Sequence, residues 1–303
     1  MKKLVSLGLL LILLGLTYSY KEDIIKIYNR VFVDLKKDSV KLESVNKYYR
    51  KYDFQYVQNT TDFTPSSKQD ILNIYYTVIN AGKDKFTFYC PTDYEECLED
   101  VDYLANDQTT LSHINNYVHP FNGFKNVETE YDSLGKVTIH VHKSYTDAEI
   151  SELETKIDQI SNEVIKSDLK VEDNIRNVHD YIINHSKYDS DRSDRNIVNY
   201  KSDLAYGPLM EGYGLCGGYT DAMELFLEKL GVRSYKVSSE NHVWNAVYLD
   251  NSWKHLDLTW DDPVTNTGAD ILEHNFFLIT TDQLKQLGTN QHSFDLTVYK
   301  EFS

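Results

Sequence analysis

Residues 241–263, NHVWNAVYLDNSWKHLDLTWDDP, constrain this chain more than any other stretch. They read as two strands around Asp250-Asn251. With those two residues at the centre of a hairpin, Leu249 faces Ser252, Tyr248 faces Trp253, Trp244 faces Asp257 and His242 faces Thr259. Strand residues two apart share a face. His242, Trp244, Asp257 and Thr259 therefore project from one side. His242 and Asp257 become diagonal neighbours, roughly 7 Å apart between Cα atoms, within reach of an imidazole–carboxylate hydrogen bond. A slip of one residue would place the pair on opposite faces.

Such a pair has a use if a nucleophile lies nearby, and the preceding segment offers one. GYGLCGGYTDAMELFL, residues 212–227, sets Cys216 among four glycines. Tyr219, Ala222, Met223, Phe226, Leu227 and Leu230 then recur at three and four, the buried face of a helix. Gly231 suits a left-handed stop. Cys216 thus falls in the first turn, where unpaired amides and the positive dipole end stabilise a thiolate. Gly217 and Gly218 are expected to keep the approach to sulfur open and to let backbone N–H groups reach a developing oxyanion. The alternative is a small residue in a crowded turn. In the catalytic reading Cys216 attacks, His242 takes and returns the proton, and Asp257 fixes the tautomer. His255 is the rival base. Trp244 and Trp253 are wall or core. A zinc site from Cys216, His242, His255 and Asp257 matches no closed zinc spacing.

The three blocks GYGLCGGYTDAM, NHVWNAVYL and WKHLDLTWDDP together resemble the core of the transglutaminase-like superfamily, over about residues 170–290. The resemblance implies an α+β, papain-like core, with a cysteine-bearing helix packed on an antiparallel sheet that bears histidine and aspartate. It also implies a Cys216–His242–Asp257 triad working through a thioester. Tyr213, Gly217 and Trp244 are candidates for the site wall or the oxyanion donors. The implied activity is acyl transfer or amide hydrolysis on a protein or cell-wall peptide. A catalytically silent domain that binds a surface partner through the same cleft is the alternative. Animal crosslinking enzymes of the family often depend on calcium. No matching ligand set is visible here, so no metal and no cofactor are expected.

The remainder sets the context. The net charge of −16 disfavours a nucleic-acid partner. Residues 1–19 carry Lys2 and Lys3 before an apolar run from Leu4 to Leu16. This reads as a signal peptide with cleavage near Ser19, or an N-terminal anchor, and places the protein outside the cytoplasm, secreted or at the cell surface. Residues 20–145 read as an N-terminal α/β region. Within it, helical spacing runs from 21 to about 51, a second helix opens at Pro65-Ser66-Ser67, and strands lie at 85–90 and 136–143 beside a turn at 132–135. Residues 146–303 form the catalytic domain, opened by a helix capped at Thr146. Cys90 and Cys97 either pair or stay reduced as core residues. Residues 189–196, DSDRSDRN, lack the glycine and glutamate of a calcium loop and read as a solvated loop.

Overall fold

The computed structural model describes residues 15–36, 40–264 and 271–303. Most of the expected signal segment, residues 1–14, lies outside them. No described helix is long and apolar enough to cross a membrane.

Helix α1 spans Lys21–Lys36, and residues 40–64 follow as irregular chain. Helix α2 (Lys68–Asn80) starts where the Ser67 side chain accepts a hydrogen bond from the Asp70 amide, and it buries Ile71, Ile74, Tyr75 and Val78. Strands β1 (Lys85–Tyr89), β2 (Phe124–Tyr131) and β3 (Lys136–Lys143) form an antiparallel sheet with β3 in the middle. The β2–β3 turn closes at Gly135, whose φ of +86° suits only glycine at low strain. Two helices that no sequence expectation covered, α3 (Cys97–Asn106) and α4 (Gln108–Tyr117), fill the gap between β1 and β2. Their junction is set by Asp107, whose carboxylate accepts from the Thr109 and Thr110 amides. Cys90 and Cys97 are joined as a disulfide between β1 and α3.

Thr146 and Glu149 form a capping box at the head of α5 (Asp147–Val164). Helix α6 (Val171–His185) buries Ile175, Val178, Ile182 and Ile183. Two-residue strands β4 (Lys187–Tyr188) and β5 (Tyr213–Gly214) pair in parallel. Between them, the stretch expected to be a solvated loop contains a short exposed helix, α7 (Ser190–Arg195). Asp189 caps it by accepting from the Arg192 amide, and Asn196 stops it in the left-handed region. The charged composition fits a solvated helix as well as a loop.

Helix α8 (Cys216–Lys229) lies against the second antiparallel sheet, β6 (Ser234–Ser238), β7 (Val243–Leu249) and β8 (Ser252–Leu256), with β7 central. Asp250 and Asn251 both have positive φ, the mark of a type I′ turn. The register runs Leu249↔Ser252, Tyr248↔Trp253 and Ala246↔His255, as the hairpin reading requires. It ends at Asn245↔Leu256. Asp257 leaves the ladder to cap a four-residue helix, α9 (Leu258–Asp261). The expected pairings Trp244–Asp257 and His242–Thr259 do not form, because the Asp257 amide is bonded to the Phe276 carbonyl from a returning strand-like segment. Helix α10 (Thr281–Leu287) follows.

The expected division at residue 145 does not separate two cores. Phe54 and Tyr117 pack with Tyr235 and Tyr299 in one cluster. Arg50, 5% exposed, reaches from the N-terminal segment to the buried Glu224 on α8, 2.5 Å away, and to the Tyr117 carbonyl at 2.9 Å. A second cluster unites α5, α6 and α8 with the inner face of β7 and β8.

Candidate active site

Cys216 is the first residue of α8, is half-buried, and is outside the disulfide. The chain reaches it through β5 and Leu215, whose amide donates to the Ser202 carbonyl at 2.8 Å. At Gly218 an added Cβ would meet the Ser202 carbonyl oxygen at 2.2 Å, and at Gly217 the Asp203 carbonyl oxygen at 2.8 Å. The two glycines are therefore required by backbone packed against the helix entrance. This is a reason for glycine at both positions separate from the open approach to sulfur expected of them.

His242 lies just before β7 and is 6% exposed. Its Nε2–H donates to Asp257 Oδ2 at 2.6 Å. Asp257 is 2% exposed. Its Oδ1 accepts from the Thr259 amide at 2.9 Å and the Trp260 amide at 3.3 Å, the capping bonds of α9. The helix that interrupts the ladder is thus what fixes the carboxylate. The indole of Trp244, fully buried, lies nearly parallel to the His242 ring, 5.7 Å between centroids.

The electrostatics follow from this enclosure. Burial opposes charge on His242, but the Asp257 carboxylate and then the Cys216 thiol outweigh it and push the imidazole up to about 10. Burial likewise opposes charge on Asp257, yet His242 and His292 hold its carboxyl far below the usual carboxylate range. Since Nε2–H is committed to Asp257, Nδ1 is the ring nitrogen left for the thiol.

The rival base is excluded by its surroundings. His255 Nδ1 accepts from Trp244 Nε1–H at 2.9 Å, its Nε2 lies 3.1 Å from Thr281 Oγ1, and its ring stacks on Phe302. Burial and the neighbouring His292 push it down to about 3. It supports Trp244, which in turn backs His242. Trp253 sits elsewhere, against Tyr235 and Tyr248. Tyr213 is half-buried and stacks on Tyr200 at 4.1 Å. Tyr188, on the neighbouring strand, is raised first by burial.

Over residues 158–258 the sequence matches the family described as the transglutaminase-like superfamily. The matched segment contains Cys216, His242 and Asp257. No curated protein matches the chain. Among solved structures, one described as a TGase is 15% identical, with a TM-score of 0.31 over 45% of this chain and 44% of the other. A candidate cysteine protease from Cytophaga hutchinsonii is 11% identical, with a TM-score of 0.28 over 48% of this chain and 65% of the other. The chain covers less than two thirds of either relative's length.

The structure also brings to this region residues that sequence reasoning missed. His292 Nε2 lies 2.8 Å from the same Asp257 Oδ2 that His242 uses. On α6, the buried His179 sits between Asp180 (2.8 Å) and Asp261 (3.1 Å), and His274 contacts Asp180 at 2.7 Å. Asp261 in turn accepts from the Phe276 amide at 2.9 Å. This second histidine–aspartate group braces the end of α9, the helix that Asp257 caps. Either set, His179–Asp180–His274 or His242–Asp257–His292, could in principle hold an ion. Every ligand atom concerned is already engaged within its own group.

Proposed function

We propose that this protein is an exported cysteine enzyme that cleaves or exchanges amide bonds of protein or cell-wall peptide substrates through a thioester. The observation that carries the reading is the His242–Asp257 bond at 2.6 Å, which leaves the other face of the imidazole to the half-buried Cys216 at a helix entrance. His242 holds the proton of the thiol on Nδ1 as an imidazolium, and the sulfur attacks the amide carbonyl carbon as a thiolate. The resulting oxyanion is placed at the N-terminus of α8, where first-turn amides are available, that of Cys216 foremost. The tetrahedral adduct collapses as the C–N bond breaks, and the imidazolium returns its proton to the departing amine. Water or a second amine then attacks the thioester, giving acid or a new amide and restoring the thiol. Export is supported by the basic, apolar N-terminal sequence and by the Cys90–Cys97 disulfide, which suits an oxidising compartment.

The test is to label the protein with iodoacetamide at neutral pH and then to trap an acyl-enzyme from cell-surface extract, with identification by mass spectrometry. Alkylation of Cys216 well above the rate of a simple thiol, together with a substrate-derived adduct on it, is expected. An ordinary labelling rate and no adduct would leave a silent binding domain as the better description.

A further inference from the structure

The proposed triad uses one hydrogen bond to Asp257 Oδ2, but the structure places two there. His292 sits in a short 3-10 turn, Asn290–His292, and is 6% exposed. Its ring stacks on Phe276 (4.9 Å, 15°) and packs against Trp244 (4.9 Å) and Trp260 (5.2 Å). It stands nearly perpendicular to the His242 ring, 5.2 Å away. Thr289 Oγ1 contacts its Nδ1, and its Nε2 points at Asp257. A carboxylate only accepts, so Nε2 must carry the hydrogen. The Thr289 hydroxyl can then donate to the remaining lone pair on Nδ1.

We infer that His292 is a positioning residue of the catalytic centre: it and His242 divide one oxygen of Asp257, and Thr289 sets the tautomer that allows it. This rests on the function proposed above. With two backbone amides on Oδ1 and two imidazoles on Oδ2, the carboxylate cannot rotate away from His242. The titratable groups facing His292 are His242, Asp257 and, across Trp244, His255. The hydrogen bonds of His292 run to Asp257 and Thr289, so its effect passes through Asp257.

The experiment compares His292→Leu, His292→Gln and Thr289→Val in the full chain, with folding checked by circular dichroism. Two readouts are taken: the rate of Cys216 alkylation by iodoacetamide, and the downfield imidazole N–H resonances in proton NMR. Wild type should show two such resonances, both moved by Asp257→Asn. His292→Leu should remove one, shift that of His242, and slow alkylation about ten- to a hundredfold, the weight of one hydrogen bond to a charged group. His292→Gln, whose amide N–H can reach the same oxygen, should restore the rate to within a few-fold. Thr289→Val keeps the packing of the 292 ring, and should weaken the His292 signal even if the leucine variant does not fold. The inference is overturned if the His242 resonance stays in place in all three variants, or if glutamine is as slow as leucine. A wild-type thiol of ordinary reactivity would count against the proposed chemistry, while the NMR result would still judge the shared oxygen.

Discussion

At the scale of single residues, the site is governed by how tightly Asp257 is held. Cys216→Ala and His242→Ala should each abolish amidase or amine-incorporation activity, the first with little change in melting temperature and the second with a lower one at neutral pH, whereas Asp257→Ala should retain a small residue of it. Groups that act as a unit do not lose rate additively. The imidazole of His242 also links stability to pH. Its folded value, pushed up to about 10, exceeds the unfolded value near 6.5. The folded state therefore binds the proton more strongly. Its contribution is complete below about pH 6.5 and is lost as pH rises toward 10. Urea titrations at intervals across that window should show a falling midpoint in wild type and a flatter profile in His242→Gln. The hairpin reading put His242 and Asp257 within reach of each other, and they are bonded, although both lie just outside the paired strands. That reading did not reveal His292, which lies 35 residues beyond Asp257 in irregular chain and belongs to no periodic pattern.

At the scale of elements, two connections decide whether those residues meet. The first is the entrance of α8. Gly218→Ala would push a methyl into the Ser202 carbonyl, which is backbone and has little room to yield. Overpacking of this kind costs about 1–3 kcal/mol. We expect a comparable loss in urea unfolding and slower labelling of Cys216, since the strained turn is the one that carries it. The second is the buried Arg50–Glu224 pair. Arg50→Met leaves Glu224 buried and unpaired, and should destabilise by about 3–5 kcal/mol. Arg50→Met with Glu224→Leu should recover most of that loss if the isolated charge, and not the packing, is the cause. The hairpin register was legible because Asp250-Asn251 admits a tight turn between two alternating runs. Its early end was not, because the partner that takes the Asp257 amide is Phe276, nineteen positions away and outside the hairpin.

At the scale of the whole molecule, the N-terminal half completes the core of the half that holds the candidate triad. Phe54, Tyr117, Tyr235 and Tyr299 form one aromatic cluster drawn from both sides of residue 145. A fragment of residues 146–303 would expose Tyr235, Val237 and Tyr299 and lose the Arg50 contact. It should bind a hydrophobic dye and show weak near-ultraviolet dichroism. A cooperative, native-like melt of that fragment would refute the shared core. Composition could not have disclosed this. A core contributed by two distant segments leaves the same apolar pattern in each as two separate cores would. The family core itself was legible, since the blocks around Cys216, His242 and Asp257 stand in order along the chain.

Of the three tryptophans in the chain, two border the paired imidazoles: Trp244 face-on to His242, and Trp260 beside both rings. A protonated imidazole withdraws excited-state electron density from an adjacent indole and dims its emission. The protein therefore carries an intrinsic optical gauge of its own acid–base state. Protonation of the paired imidazoles can be followed by stopped-flow fluorescence after a pH jump without attaching a label.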